Sequence, residues 1–137
     1  MRFIDTNVLI YAVSPAPADR AKSEIALLAL RSSQCALSVQ VLQEFYVQAT
    51  RQTRVMALTH DEAMSFIVAL SRYPVQEITL AVFHAAIQVS RQFQISYWDG
   101  AIIAAAQALG CDELLSEDLN AGQSYGGVTV VNPFASV

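Results

Sequence analysis

Short apolar runs alternate with longer helix-compatible segments along this chain, and that alternation restricts the fold more than any other feature. Arg2-Phe3-Ile4, Cys35–Ser38, Val75–Ile78, Glu113–Ser116 and Val128–Val131 read as strands. Helices are expected over Asn7–Val13, Ala18–Arg31, from Ser38 to about Gln52, from Thr59 to about Arg72, from Thr79 to about Phe93, and from Ser96 to a stop at Gly110. The boundaries have local chemistry behind them. A Ser38 hydroxyl can take up a free N–H of the next helical turn, Thr59-His60-Asp61-Glu62 has the spacing of a capping box, and Gly110 suits a left-handed helix end. Strands alternating with helices predict a parallel sheet covered on both faces. Right-handed crossovers then give a three-layer α/β/α sandwich with a mostly parallel sheet of roughly four to five strands. No repeat or long linker interrupts the pattern beyond Ser14-Pro15-Ala16-Pro17, so residues 1–137 are expected to form one domain.

Charge limits the function classes. Only 15% of the residues are charged, the net charge is −4, and Lys22 is the only lysine. With 54% hydrophobic residues, the chain is neither disordered nor a generic basic nucleic-acid binder. If it handles a polyanion, something other than its own side chains neutralises much of the phosphate charge. The longest apolar stretch, Gly100–Gly110, is interrupted by Gln107 and falls short of the ~18 residues of a membrane span. Asp5 and Asn7 break what would be the apolar part of a signal peptide, so a cytoplasmic protein is expected. Cys35 and Cys111 lie in apolar segments and read as buried small hydrophobes.

With so few charges, the placement of acids carries information. Asp5 directly follows the first strand. Asp118 follows the strand ending Leu114-Leu115-Ser116. Asp99 opens a helix that is apolar on every side, and Glu44 sits inside the helix that begins after Ser38. Each has a plain reading: Asp5 as a helix cap, Asp99 as an acid favoured by the helix dipole, Glu44 as a solvated position, Asp118 as a turn residue. Together they fall at the carboxyl edge of the sheet, where α/β folds place their ligands. Glu44 leans back toward that edge because helical side chains tilt toward the N-terminus. Four carboxylates in one place repel unless a cation lies among them, and hard oxygen ligands suit Mg²⁺, with Mn²⁺ as a substitute. Thr6, Asn7 and Ser116 stand beside the acids and can orient carboxylates or waters. Arg20, Lys22, Arg51, Arg54 and Arg91 are the candidate nucleotide contacts, each more simply a surface charge. His60 and His84 read as satisfied or solvated, and Tyr97 and Trp98 as packing aromatics rather than base-stacking ones.

Phe3-Ile4-Asp5-Thr6-Asn7-Val8-Leu9-Ile10-Tyr11, Val41-Leu42-Gln43-Glu44-Phe45-Tyr46, Ser96-Tyr97-Trp98-Asp99, Leu114-Leu115-Ser116-Glu117-Asp118-Leu119-Asn120 and Val130-Val131-Asn132-Pro133-Phe134 occur in this order over nearly the whole chain. This arrangement resembles the PIN-domain ribonucleases and, among them, VapC-type toxins of type II toxin–antitoxin systems. The resemblance implies a PIN-like fold and Mg²⁺-dependent hydrolysis of RNA phosphodiester bonds. It also implies Asp5 and Asp99 as principal metal ligands, with Glu44 and Asp118 completing the cluster directly or through water. It further implies a cognate antitoxin, a homodimer, and a transfer or ribosomal RNA substrate. Of the adjacent Glu117 and Asp118, the second matches the family position. Gly100 stands where the family commonly has alanine. Two other classes remain open at this level. A phosphatase or phospho-acceptor domain also places an Asp after a first strand, although Asn7 stands where such enzymes need a second acid. A non-catalytic interaction module would use the apolar segments Val8–Val13 and Ile25–Leu30 as a groove for a partner peptide.

Overall fold

The computed structural model describes residues 1–32 and 34–137. The strands β1 (Arg2–Ile4), β2 (Cys35–Ser38), β3 (Val75–Gln76), β4 (Glu113–Leu115), β5 (Ser124–Tyr125) and β6 (Val128–Val131) form a sheet in the order β3-β2-β1-β4-β6-β5. All neighbouring pairs are parallel except β5–β6. The helices are α1 (Thr6–Val13), α2 (Arg20–Leu30), α3 (Val39–Ala49), α4 (His60–Leu70), α5 (Leu80–Phe93) and α6 (Tyr97–Ala108). Helices α1 to α4 pack in the order α2-α1-α3-α4, while α6 lies across β2, β3, β4 and β6 with α5 packed on it. The mostly parallel α/β/α sandwich expected from the alternation is therefore present, with six strands rather than four to five. The additional strand is the two-residue β5, which folds back on β6 across Gly126 and Gly127, both at positive φ (60° and 91°). Only glycine adopts such a pair of conformations readily, which makes a tight hairpin possible there.

β1 sits between β2 and β4, so the chain winds away from it in both directions. That reversal leaves a crevice beyond the carboxyl ends of β1 and β4. The strands are held by burial. Phe3, Ile4, Leu37 and Leu114 are fully buried, each worth about 1.5–3 kcal/mol relative to exposure. The caps follow the local chemistry. Ser38 accepts from Val41 N–H, Thr79 from Val82 N–H and Ser96 from Asp99 N–H. Both halves of the Thr59–Glu62 box form, at 2.9 and 3.1 Å. Gly110 ends α6 at φ +73°.

Residues Gly100–Ala106 of α6 are all buried, as an all-apolar helix requires. Gly100 has a packing reason: a Cβ there would lie 2.7 Å from the Ala86 carbonyl oxygen and 3.0 Å from the Ser90 Cβ. Its lack of a side chain lets α5 and α6 approach closely. Gln107, the polar break in this apolar run, donates its amide to the Gly126 carbonyl at 3.2 Å and ties α6 to the β5–β6 turn. Several boundaries depart from the sequence reading. α3 stops at Ala49 rather than near Gln52, where the Thr50 hydroxyl bonds back to the Tyr46 carbonyl and Leu58 N–H closes onto Ala49. The stretch Pro17–Asp19 is a 3₁₀ turn leading into α2. Edge strand β3 keeps two residues of the expected four. Among the described residues no helix is long and apolar enough to cross a membrane.

Candidate metal centre

Asp5 leaves β1 and immediately caps α1, so its carboxylate is fixed by backbone direction on one side and helix geometry on the other. Its Oδ1 accepts from Thr6 N–H at 2.7 Å. Its Oδ2 accepts from the Ser116 hydroxyl at 2.7 Å and from the Asn7 amide at 3.4 Å. Ser116 lies just past β4, and the parallel pairing of Ile4 with Leu115 brings the two strand ends together. Asp5 is only 8% exposed. Burial pushes its pKa up to about 6; the bonds from Ser116 and Thr6 oppose that rise, and the charges of Asp118 and Glu44 add to it.

The same few donors hold two of the other acids. Asn7 also donates to Asp118 Oδ2 at 3.0 Å, and Asp118 N–H donates to Ser116 Oγ at 3.1 Å. The Thr6 hydroxyl donates to Glu44 Oε1 at 3.1 Å. Asp99, in the first turn of α6, has its N–H capped by Ser96 at 3.0 Å, while its carboxylate takes no hydrogen bond or ion pair among the described residues. Asp5, Glu44, Asp99 and Asp118 line one solvent-open cup of about 430 Å³, together with Thr6 and Asn7. Gln40, Gln48 and Trp98 complete its walls, and Ile102 forms part of its base.

The adjacent acids after β4 part company. Glu117 turns away from the cup and accepts from the Tyr11 hydroxyl at 2.8 Å and the Lys22 ammonium at 3.2 Å. Lys22 also lies over the Tyr11 ring. Arg20 pairs with Glu24 at 3.5 Å, and none of Arg20, Lys22, Arg51, Arg54 and Arg91 lines the cup. A phospho-acceptor site needs a lysine at the phosphoryl group, and the only lysine is committed elsewhere. His60 meets the Tyr46 hydroxyl at 2.8 Å, and His84 packs beside Phe83. Cys35 and Cys111 are buried and unpaired, and burial raises both thiol pKa values.

Two features were not read from the sequence. Gln40 and Gln48 lie one turn either side of Glu44 and two turns apart in all, and that i, i+4, i+8 spacing on one helix face was available as a signal. Trp98 is 65% exposed at the rim, whereas packing was expected; Tyr97 does pack, against Phe83 and the α5–α6 seam.

The cup fits a hard divalent cation by its donor set, by a buried carboxylate resisting ionisation, and by the buried Asn7 Oδ1, which has no hydrogen-bond partner. The acids share the cup without forming a finished cage. Among the described residues no group of three or more His, Cys, Asp or Glu side chains is arranged to hold a metal ion. The hydrogen bonds from Thr6, Asn7 and Ser116 account instead for where the Asp5, Glu44 and Asp118 carboxylates point.

No curated protein is matched by the sequence. The fold is similar to that of solved structures under 25% identical. One is a toxin–antitoxin complex from Klebsiella pneumoniae (22% identity, 98% of each chain covered, TM-score 0.73). Another is FitAcB from Neisseria gonorrhoeae (19% identity, 98% of this chain and 99% of that one, TM-score 0.67). A third is VapC20 from Mycobacterium tuberculosis, described as a Sarcin-Ricin loop cleaving toxin (18% identity, 86% and 92% covered, TM-score 0.65). The family model for the PIN domain matches residues 2–123, nearly the whole span from β1 to the turn before β5, and the chain belongs to the PIN-domain family.

Proposed function

We propose that this protein is a divalent-metal-dependent endoribonuclease and the toxin of a toxin–antitoxin pair. The observation that carries the reading is the cup in which Asp5, Glu44, Asp99 and Asp118 meet beyond β1 and β4, with no basic side chain lining it. Family membership and the toxin–antitoxin neighbours support it. Asp5 and Asp99 are the principal ligands for Mg²⁺ or Mn²⁺, with Glu44 and Asp118 joining directly or through water. A bound divalent cation supplies Lewis acidity at a phosphoryl oxygen and a more acidic water. Ser116, Thr6 and Asn7 fix the orientation of the Asp5, Glu44 and Asp118 carboxylates. Either Glu44 or Asp118 accepts the proton released as water adds to phosphorus and the bond to the 3′-oxygen breaks.

Cleavage of a mixed transfer and ribosomal RNA pool by the purified protein, with Mg²⁺ or Mn²⁺ and with chelator, tests this reading. Wild type is expected to cut only with metal. Asp5→Asn and Asp99→Asn are each expected to lose at least about a hundredfold, in line with several kcal/mol of metal-derived stabilisation. Variants that cut as fast as wild type would defeat the assignment.

The partners follow the same reading. α1 packs against α2 and leaves Leu28 67% exposed and Leu27 partly so, an apolar strip on which an antitoxin segment can lie. A basic antitoxin side chain reaching the acids would silence the cup, and a homodimer is the working assembly. Co-expression with the adjacent reading frame and measurement of solution mass check both. A lone monomer that captures no product of that frame would count against them.

A further inference from the structure

Beside the acidic cup lies a second, solvent-open cavity of about 430 Å³ counting the solvent at its mouth, and the two share Gln40 and Trp98 as walls. Its chemistry differs from that of the cup. Phe83, Tyr97 and Trp98 supply aromatic surface, with Tyr97 standing edge-on to Trp98 at 5.0 Å between ring centres and tilted against Phe83 at 5.9 Å. Gln40, Gln43 and Gln76 supply amides at the rim, and among the described residues Glu77 is the only charged one lining it. The Gln40 amide donates to the Trp98 carbonyl at 3.2 Å and steadies the first turn of α6. Gln43 makes no side-chain hydrogen bond among the described residues. Trp98 and Phe83, 65% and 42% exposed, are large apolar side chains left open at this mouth.

We propose that this cavity is a nucleobase subsite, holding the unpaired base next to the phosphate that is cut in the acidic cup. The proposal rests on the ribonuclease reading and adds where sequence preference is read. The charge argument selects a base over a phosphate: no lysine or arginine lines the cavity, and Glu77 repels an anion. Single-stranded RNA is recognised by stacking bases on aromatic side chains and hydrogen-bonding their edges. This cavity offers an aromatic wall and a free amide within one nucleotide's reach of the cup, because the two spaces adjoin. Ala101 and Ala105 add small apolar side chains to its lining.

The experiment compares wild type with Gln43→Ala and Phe83→Ala, neither of which touches the acidic cup. The readouts are cleavage-site base frequencies on a randomised RNA, kcat and KM separately, melting temperature and solution mass. The single tryptophan is Trp98, so its emission also reports binding of free adenosine, guanosine, cytidine and uridine, with no metal or phosphate needed. The expected result is a base preference at one nucleotide beside the cut that flattens in both variants. KM should rise about tenfold for Phe83→Ala, in line with the loss of one stacked base, and melting temperature should hold. One nucleoside should quench Trp98 saturably and more weakly in Gln43→Ala.

Unchanged base frequencies and KM in both variants, while Asp99→Asn is dead, would overturn the subsite and leave the nuclease reading standing. If wild type cuts no RNA, the ribonuclease reading fails, and nucleoside quenching decides the subsite alone: absence of saturable quenching by all four overturns it. A halved solution mass in Phe83→Ala with unchanged base frequencies would make the cavity a contact between copies of this chain, and that too overturns the proposal.

Discussion

The two walls of the acidic cup are built by different means. On the β1–β4 side, Asp5 and Asp118 are wired through Thr6, Asn7 and Ser116, and Asp5 is almost fully buried. On the α6 side, the Asp99 carboxylate takes no hydrogen bond among the described residues and stands half-buried where it meets water. Its position comes from packing, because α6 is seated against α5 through Gly100 and Ala86. A wired carboxylate is pre-aimed but buried; a packed-in-place carboxylate is aimed only as well as its helix is seated.

The largest expected effect breaks that comparison directly. Asp5→Asn and Asp99→Asn should both abolish cleavage, yet act on metal-free stability with opposite signs. The folded-state pKa of Asp5, about 6, lies above its ordinary value of 3.8. Between those values the folded chain binds the proton more tightly than the unfolded chain does. Stability therefore falls as pH rises through the window, and by neutral pH the ionised Asp5 costs about 3 kcal/mol. Asn carries no charge to bury, although it cannot accept the Ser116 proton as well. Urea melts without metal should show Asp5→Asn gaining on wild type from pH 4 to pH 6.5, then holding its lead. Asp99→Asn should lose no more than about 1 kcal/mol of helix-terminus stabilisation at neutral pH. Adding Mg²⁺ should stabilise wild type alone. An Asp5→Asn variant that gains nothing on wild type across that window would erase the distinction between the walls.

Next in size come substitutions that disturb each wall without removing an acid. Gly100→Ala places a methyl 2.7 Å from a backbone oxygen that cannot swing aside, and overpacking of this kind costs about 1–3 kcal/mol. It should lower both melting temperature and cleavage, because moving α6 moves Asp99. Ser116→Ala removes one of the two donors 2.7 Å from Asp5 and should drive that carboxyl's pKa higher still. Thermal loss should be about 1–2 kcal/mol, and metal affinity measured by calorimetry should drop about 10- to 100-fold. A Gly100→Ala protein with wild-type cleavage would show that Asp99 is not placed by the α5–α6 seam.

Much of the frame was legible because the chemistry is local. Ser38, Thr79, Ser96 and the Thr59–Glu62 box announce helix starts through their own hydroxyls and carboxylate, and the helices begin where these residues stand. Ends were less legible. α3 stops at Ala49 because Leu58 folds back onto it, a contact invisible to local propensity. β5 was missed because two residues carry no periodicity, although Gly126-Gly127 marks a hairpin turn. In the cup, strand-end position pointed to Asp5 and Asp118, and helix tilt to Glu44. The exposure of Trp98 was not readable: whether an aromatic in a first helical turn packs depends on neighbours from α3 and α5 that sequence spacing does not place.

The smallest expected effect concerns the residue beside the wired wall. Glu117 and Asp118 are consecutive, so whatever holds one outward turns the other inward. Glu117 is held by the Tyr11 hydroxyl and the Lys22 ammonium, and Lys22 rests over the Tyr11 and Phe134 rings. The pair is partly solvated, with side chains 30% and 24% exposed, so screening leaves it little weight in global stability. Its effect should instead appear in how firmly Asp118 faces the cup. Lys22→Met keeps the apolar stem on the rings and removes the charge. The melting temperature should stay within the error of the curve, while kcat falls severalfold, less than for Ser116→Ala, and the same small loss should appear in Glu117→Gln. If the wall owes its aim to Asn7 and Ser116 alone, both variants will cut at the wild-type rate, and the wiring of this wall will end at Asp118.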